Sequence, residues 1–264
     1  MPVCFLVCVP VLAPFLASCA TTPQTGDPAD FTFFEKKETV PAGTKATLDF
    51  SFYLVDLSRP GDLQKLVRKT LYGGKSAADY QQRTSEEWKK EYKKFLTETD
   101  IPVDAMNWSY EEAHNIITAG TFAVIKKSSF SYKGGAHPNS YEKSLVLDLA
   151  APVKQLSLRN IFTAEGLKRL PALTDRELRR YSQIRTGKAL PAGTPLTEGI
   201  YLEAAIAPSE DFYPADNGLN FRWNRYEITP YAIGIVEISF RWDELMELLT
   251  PKGKEMAQAF QAKK

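Results

Sequence analysis

The sequence predicts an α+β fold of two subdomains, with antiparallel sheets packed against helices. Three observations carry this. A long charged segment, Ser76 to Thr99, keeps one aromatic face. From Trp108 onward the pattern turns β-rich, and several strand-like runs follow one another towards the C-terminus. Helical and strand-like stretches that stay in separate runs, rather than alternating, indicate α+β.

The elements follow in order. Phe31 to Leu57 reads as a strand region with a turn at residues 39–44, and Thr47 to Val55 mixes β-branched and aromatic residues in partial alternation. Gly61 to Tyr72 is predicted as a short helix, with Leu63, Leu66 and Val67 on one face and Gly73-Gly74 ending it. In the segment from Ser76 to Thr99, Glu and Lys recur at spacings near four, which suits a solvated helix face. Tyr80, Trp88, Tyr92, Phe95 and Leu96 supply its packing face.

Ile116 to Ile125, Ser128 to Tyr132 and Tyr141 to Leu149 read as strands, with a tight loop at residues 133–139. Leu156 to Leu173 is expected to hold a short helical segment. Thr174 to Ile184 is expected to be a separate charged helix, capped by Thr174 or Asp175. Ile200 to Ile206, Gly218 to Tyr226 and Ile233 to Phe240 read as antiparallel strands, with Arg222 and Glu227 as outward-facing partners. Arg241 to Leu249 is predicted as a closing helix that Pro251 and Gly253 stop.

Composition narrows the function. The chain of 264 residues is 44% hydrophobic and 25% charged, with a net charge of +1, an ordinary globular balance. No run or face is strongly basic, so nucleic acid is not an expected partner. Met1 to Ser18 holds no Asp, Glu, Lys or Arg and contains the apolar run Val3 to Val9. That length matches the roughly 7–15-residue core of a secretory signal. The run ends in Leu16-Ala17-Ser18-Cys19, which resembles a bacterial lipobox, so Cys19 is the expected lipidation site. Two acyl chains on its thiol would give stable membrane anchoring. Residues 19–29, polar and rich in Pro and Gly, are expected to form a flexible tether. The remaining cysteines, Cys4 and Cys8, lie inside the signal, so a thiol nucleophile and a Cys-based zinc site are excluded beyond it.

His114 and His137 are the only histidines, and no His-x-x-x-His spacing exists, so no metal and no cofactor are expected. His137 could serve as a general base near Ser140 and Asp148, but no Gly-x-Ser-x-Gly elbow is present. The simpler reading is that Gly134-Gly135 make a positive-φ turn that His137 pins by bonding to backbone.

Tyr132-Lys133-Gly134-Gly135-Ala136-His137-Pro138-Asn139 is the most unusual stretch. It resembles a signature of the extracytoplasmic region shared by RsiV-type anti-sigma factors and PdaC-type polysaccharide deacetylases. Leu156-Ser157-Leu158-Arg159-Asn160-Ile161-Phe162 looks like the opening of that family's second subdomain. The segment from Tyr226 to Gly234 is similar to its Tyr-x-(Ile/Leu)-(Ala/Thr)-Pro-Tyr-Ala-x-Gly motif. The deacetylase catalytic module is missing here, as are the anti-sigma factor's cytoplasmic segment and transmembrane helix.

The resemblance implies an α+β ectodomain of two subdomains, at residues 30–150 and 151–250, with a boundary near 150–152 and a polar tail at 251–264. It further implies a non-enzymatic binding or sensing role, with lysozyme or peptidoglycan fragments as ligand. The candidate binding residues are Tyr132, Gly134, Gly135, His137, Asn139, Trp223, Tyr226 and Tyr231. A cell-wall-acting hydrolase or deacetylase-like enzyme, and a structural subunit of an envelope complex, are the alternatives.

Overall fold

The computed structural model describes residues 31–41, 46–98, 107–150 and 152–263. The expected signal, Cys19 and the tether lie outside the described residues. Two sheets organise the chain. The first has six strands in sequential order and the second has three.

Strands β1 (Phe31–Pro41) and β2 (Thr47–Leu57) pair antiparallel, Pro41 opposite Thr47. Helices α1 (Asp62–Tyr72) and α2 (Ala77–Glu98) follow. Gly73 ends α1 in the left-handed conformation at φ 62°, and its N–H and that of Gly74 both donate to Arg68 O, a closure that favours glycine. Ser76 opens α2, its Oγ accepting from Asp79 N at 3.1 Å. Strand β3 (Trp108–Ala119) then joins β2 in parallel, Leu48 opposite Trp108, so the two helices form a crossover. Alternate β2 residues Leu48, Phe50, Phe52 and Leu54 pack with Tyr92, Trp108 and the predicted α2 face.

The expected strand across 116–125 is a hairpin. Gly120, at φ 54°, turns the chain between β3 and β4 (Phe122–Tyr132), Ala119 facing Phe122. β5 (Asn139–Asp148) pairs with β4, and β6 (Lys154–Gln155), past the expected boundary, still pairs with β5.

The second half differs more from expectation. After the short α3 (Leu158–Ile161), α4 (Ala164–Thr186) runs unbroken through Pro171, capped by Thr163, whose Oγ1 accepts from Gly166 N at 3.0 Å. Thr174 is therefore no cap but a fully buried residue inside the helix. Residues 200–206 form no strand. Tyr201 is buried and its hydroxyl donates to Leu178 O on α4, a side-chain anchor in place of a ladder.

The second sheet is β7 (Phe212–Pro214), β8 (Gly218–Trp223) and β9 (Val236–Arg241). The closing helix is only α5 (Trp242–Leu245) plus a 3-10 turn. Pro251 stops nothing. It opens α6 (Pro251–Gln261), whose cap Thr250 accepts from Gly253 N at 3.1 Å. The expected polar tail is thus largely a helix that buries Met256, Ala257 and Phe260. One core holds these residues together with Phe122, Val124 and Val146 of the first sheet, Phe221 and Phe240 of the second, and Trp242 of α5. Among the described residues no helix is long and apolar enough to cross a membrane.

Candidate functional site

The loop between β4 and β5 is built on two consecutive left-handed glycines, Gly134 (φ 77°) and Gly135 (φ 91°), a backbone path that a Cβ would strain. Tyr132 pins it, its hydroxyl donating to Gly135 O at 3.1 Å. Lys133 fastens it to α2, donating to both Glu91 oxygens at 2.7 and 2.6 Å while its ammonium lies 4.5 Å from the Trp88 ring centre. The expected backbone bond from His137 is absent among the described residues. The imidazole is exposed and stacks on Tyr231 instead, ring centres 4.6 Å apart.

Tyr231 arrives from the far half of the chain. Beyond β8, Asn224 holds the Glu142 backbone, and the chain reverses through Arg225 and Tyr226 into a 3-10 turn at Tyr231–Ile233. Among the described residues Tyr226 is the one non-glycine with positive φ, at 66°, and it is 64% exposed. Its ring centre lies 5.7 Å from that of Tyr231, and the Arg225 guanidinium carbon lies 5.0 Å from the same ring centre. The Tyr231 hydroxyl donates to Pro138 O at 2.7 Å, which locks the two segments together. The result is an aromatic row, Tyr226–Tyr231–His137, edged by a cation.

Of the candidates read from sequence, Tyr132, Gly134 and Gly135 shape this loop, while His137, Tyr226 and Tyr231 form the row. Asn139 sits exposed at the start of β5, opposite Ser131. Trp223 does not join them. It is the last residue of β8 and is buried in the main core, where it packs rather than binds. Trp242 is also buried, its Nε1 donating to Ala215 O.

Arg222 and Glu227 are not partners, and only Glu227 faces outward. Arg222 is buried at the junction of the two sheets, with Nη1 3.1 Å from Glu142 and Nη2 3.3 Å from Glu237. Glu227 instead accepts from Asn224 N at 2.8 Å. Beside Arg222, burial pushes the Asp211 carboxyl up, and burial pulls the Lys126 ammonium down over the Tyr213 ring.

The sequence reading missed a buried polar cluster under α2. Glu112 and His114 face the same way from β3, both side chains fully covered. Val55 N donates to His114 Nδ1 at 3.2 Å, so the ring proton sits on Nε2 and points at Glu112 Oε1, 3.0 Å away. Lys127, Tyr80 and Tyr110 complete the carboxylate's shell at 2.8, 2.9 and 2.6 Å. Burial alone would raise the Glu112 carboxyl, but the His114 bond and the Lys127 charge outweigh it and hold it down at about 2. Burial lowers His114, so it is neutral. This His–acid pair is sealed from solvent, and its geometry ties β2, β3 and α2 together. Exposed His137 contacts neither Ser140 nor Asp148 among the described residues. Asp148 is paired with Lys252 at 3.1 Å.

Residues 159–243 match a family model described as "Protein of unknown function (DUF3298)". No curated protein matches the chain. A crystal structure of a DUF3298 family member from Bacteroides fragilis is similar with a TM-score of 0.67 at 22% identity, covering 88% of this chain and 98% of that one. A DUF3298 family protein from Pseudomonas aeruginosa gives a TM-score of 0.57 at 15% identity, covering 85% and 96%. The chain therefore has the fold seen in these DUF3298 structures over most of its length and carries the DUF3298 sequence pattern at residues 159–243.

Proposed function

We propose that this chain is an extracytoplasmic bacterial lipoprotein, anchored through Cys19, whose Tyr226–Tyr231–His137 surface binds a protein or cell-wall-related ligand without catalysing a reaction. Tyr226 carries the reading. Packing does not explain a large ring left 64% exposed on a left-handed backbone. Strain of this kind costs on the order of 1–3 kcal/mol and concentrates at functional sites. Two further rings beside it make a broad amphipathic platform of the kind enriched at interfaces.

Lysozyme is the ligand to test first, as the resemblance to the RsiV-type region suggests. Surface plasmon resonance of the chain on immobilised lysozyme should show saturable binding at micromolar Kd or tighter, roughly 8 kcal/mol or more. Tyr226→Ala should weaken it at least tenfold. Absent binding by a folded chain would remove lysozyme and make peptidoglycan fragments the next ligand. Anchoring is tested separately: labelled palmitate should enter the wild type and not Cys19→Ala.

One observation favours a structural role in a larger assembly. Phe33 and Tyr53 stack at 4.6 Å and are 41% and 42% exposed, Phe33 on edge strand β1. Phe33→Ser would then lower the mass of a complex recovered from membranes while leaving ligand binding intact.

A further inference from the structure

We infer that the aromatic row takes a ligand bearing a carboxylate, and that Arg225 recognises it. This rests on the surface reading above and adds the chemical class of ligand. Arg225 precedes Tyr226 on the same reversal, and its guanidinium lies over the Tyr231 ring on the row's edge. It makes no ion pair or hydrogen bond among the described residues, and its Nε and Nη1 are shut off from water without a partner.

Other partly or fully buried arginines of the fold are all engaged. Arg68 pairs with Asp56, Arg179 pairs with Asp175 and donates to Thr194, and Arg222 pairs with Glu142 and Glu237. The acid nearest in sequence to Arg225, Glu227, is already engaged by Asn224 N.

A guanidinium does not shed its proton, so the cation at this edge is permanent. Stacking on Tyr231 supports its face and leaves the in-plane N–H groups to be satisfied. The acceptor that matches this planar fork, with two parallel bonds, is a carboxylate. A small shift of the side chain on binding would bring the covered donors onto the ligand's oxygens. The adjoining rings would pack against the apolar face of whatever carries that group.

The test compares N-acetylmuramic acid with N-acetylglucosamine, the same ring with and without a lactyl carboxylate, titrated into the whole chain by NMR. The acid should bind at least tenfold more tightly. Arg225→Gln should remove that preference, the acid and the neutral sugar then binding equally in the variant, whereas Tyr226→Ala should weaken both and keep the preference. Arg225→Lys keeps the charge without the fork and should retain only part of the preference. The melting temperature of each variant reports folding.

Equal binding of the two sugars, or an acid preference that survives Arg225→Gln, overturns the carboxylate inference and leaves the aromatic surface standing. If neither sugar binds, the inference fails, and the surface reading is decided by the lysozyme measurement alone.

Discussion

Asn224 grips the backbone of Glu142 at both of its polar atoms. Its Oδ1 accepts from Glu142 N at 2.7 Å and its Nδ2 donates to Glu142 O at 2.9 Å. One amide side chain thereby extends β5 sideways into the second half of the chain, immediately before the reversal that presents Arg225 and Tyr226. Asn224→Asp keeps the acceptor and places a carboxylate oxygen against a carbonyl. It should lower stability by about 1–3 kcal/mol, the usual cost of a buried group left unpaired. It should also weaken ligand binding, because Tyr226 loses its foundation. Urea unfolding and the lysozyme titration, run on the same variant, check both.

Acid should destabilise the fold in two stages. His114 is held neutral in the folded chain, so the unfolded chain gains a proton first as pH falls through the ordinary histidine range, and stability drops there. The Glu112 carboxyl is held at about 2, so its contribution is complete above the ordinary carboxylate range and is lost as pH falls towards 2. Asp211 acts in the opposite sense. Its raised folded value means that it takes up a proton earlier when folded, which partly offsets the loss just above the usual aspartate range. Chemical unfolding at stepped pH should show the falling limb, and Glu112→Gln should flatten its most acidic part. That variant should also lose about 3 kcal/mol at neutral pH, since Lys127 remains partly buried without its partner.

Gly253 marks a close approach. A Cβ there would collide with the backbone oxygen of Ile161, where α6 meets α3. Gly253→Ala should cost about 1–3 kcal/mol through overpacking. Gly61→Ala, where a Cβ meets nothing within 4 Å, should stay within about 0.5 kcal/mol of wild type. Thermal melts of the two variants side by side give the comparison.

Phe260 separates a helix from a tail. It is 1% exposed and lies in the main core, so Phe260→Ala should cost about 3–5 kcal/mol. Truncation of a solvated tail would cost nothing measurable. Denaturant midpoints decide between the two.

Local signals made part of this fold legible. The spacing of Tyr80, Trp88, Tyr92, Phe95 and Leu96 marked the inner face of α2, and Gly73 marked the end of α1. Where a long-range partner overrode the local signal, the reading failed. Pro251 looks the same after a helix as at the start of one, and only the seat of Met256 and Phe260 in the core tells them apart. Trp108 carries no mark of the parallel partner, Leu48, sixty positions away. Trp223 and Tyr226 both fall in one expected strand and are both candidates, but the strand ends at Trp223, which packs in the core, and Tyr226 lies on the exposed reversal beyond it. Both motifs of the aromatic row were visible as unusual stretches, yet the Tyr231–Pro138 bond that unites them spans 93 positions. Arg225 gave no signal at all, because a surface arginine beside a tyrosine has the same letters as an unpaired one.

The shared core has a consequence for how the protein is made. Phe122, Val124 and Val146 belong to strands completed early in synthesis, yet the residues that cover them include Met256 and Phe260 of α6. A nascent chain that has emerged only through β6 therefore carries a finished sheet with a bare greasy end. The ribosome must deliver the eleven residues of α6 before that end is sealed. Until then that apolar end stays exposed, a surface of the kind that favours aggregation.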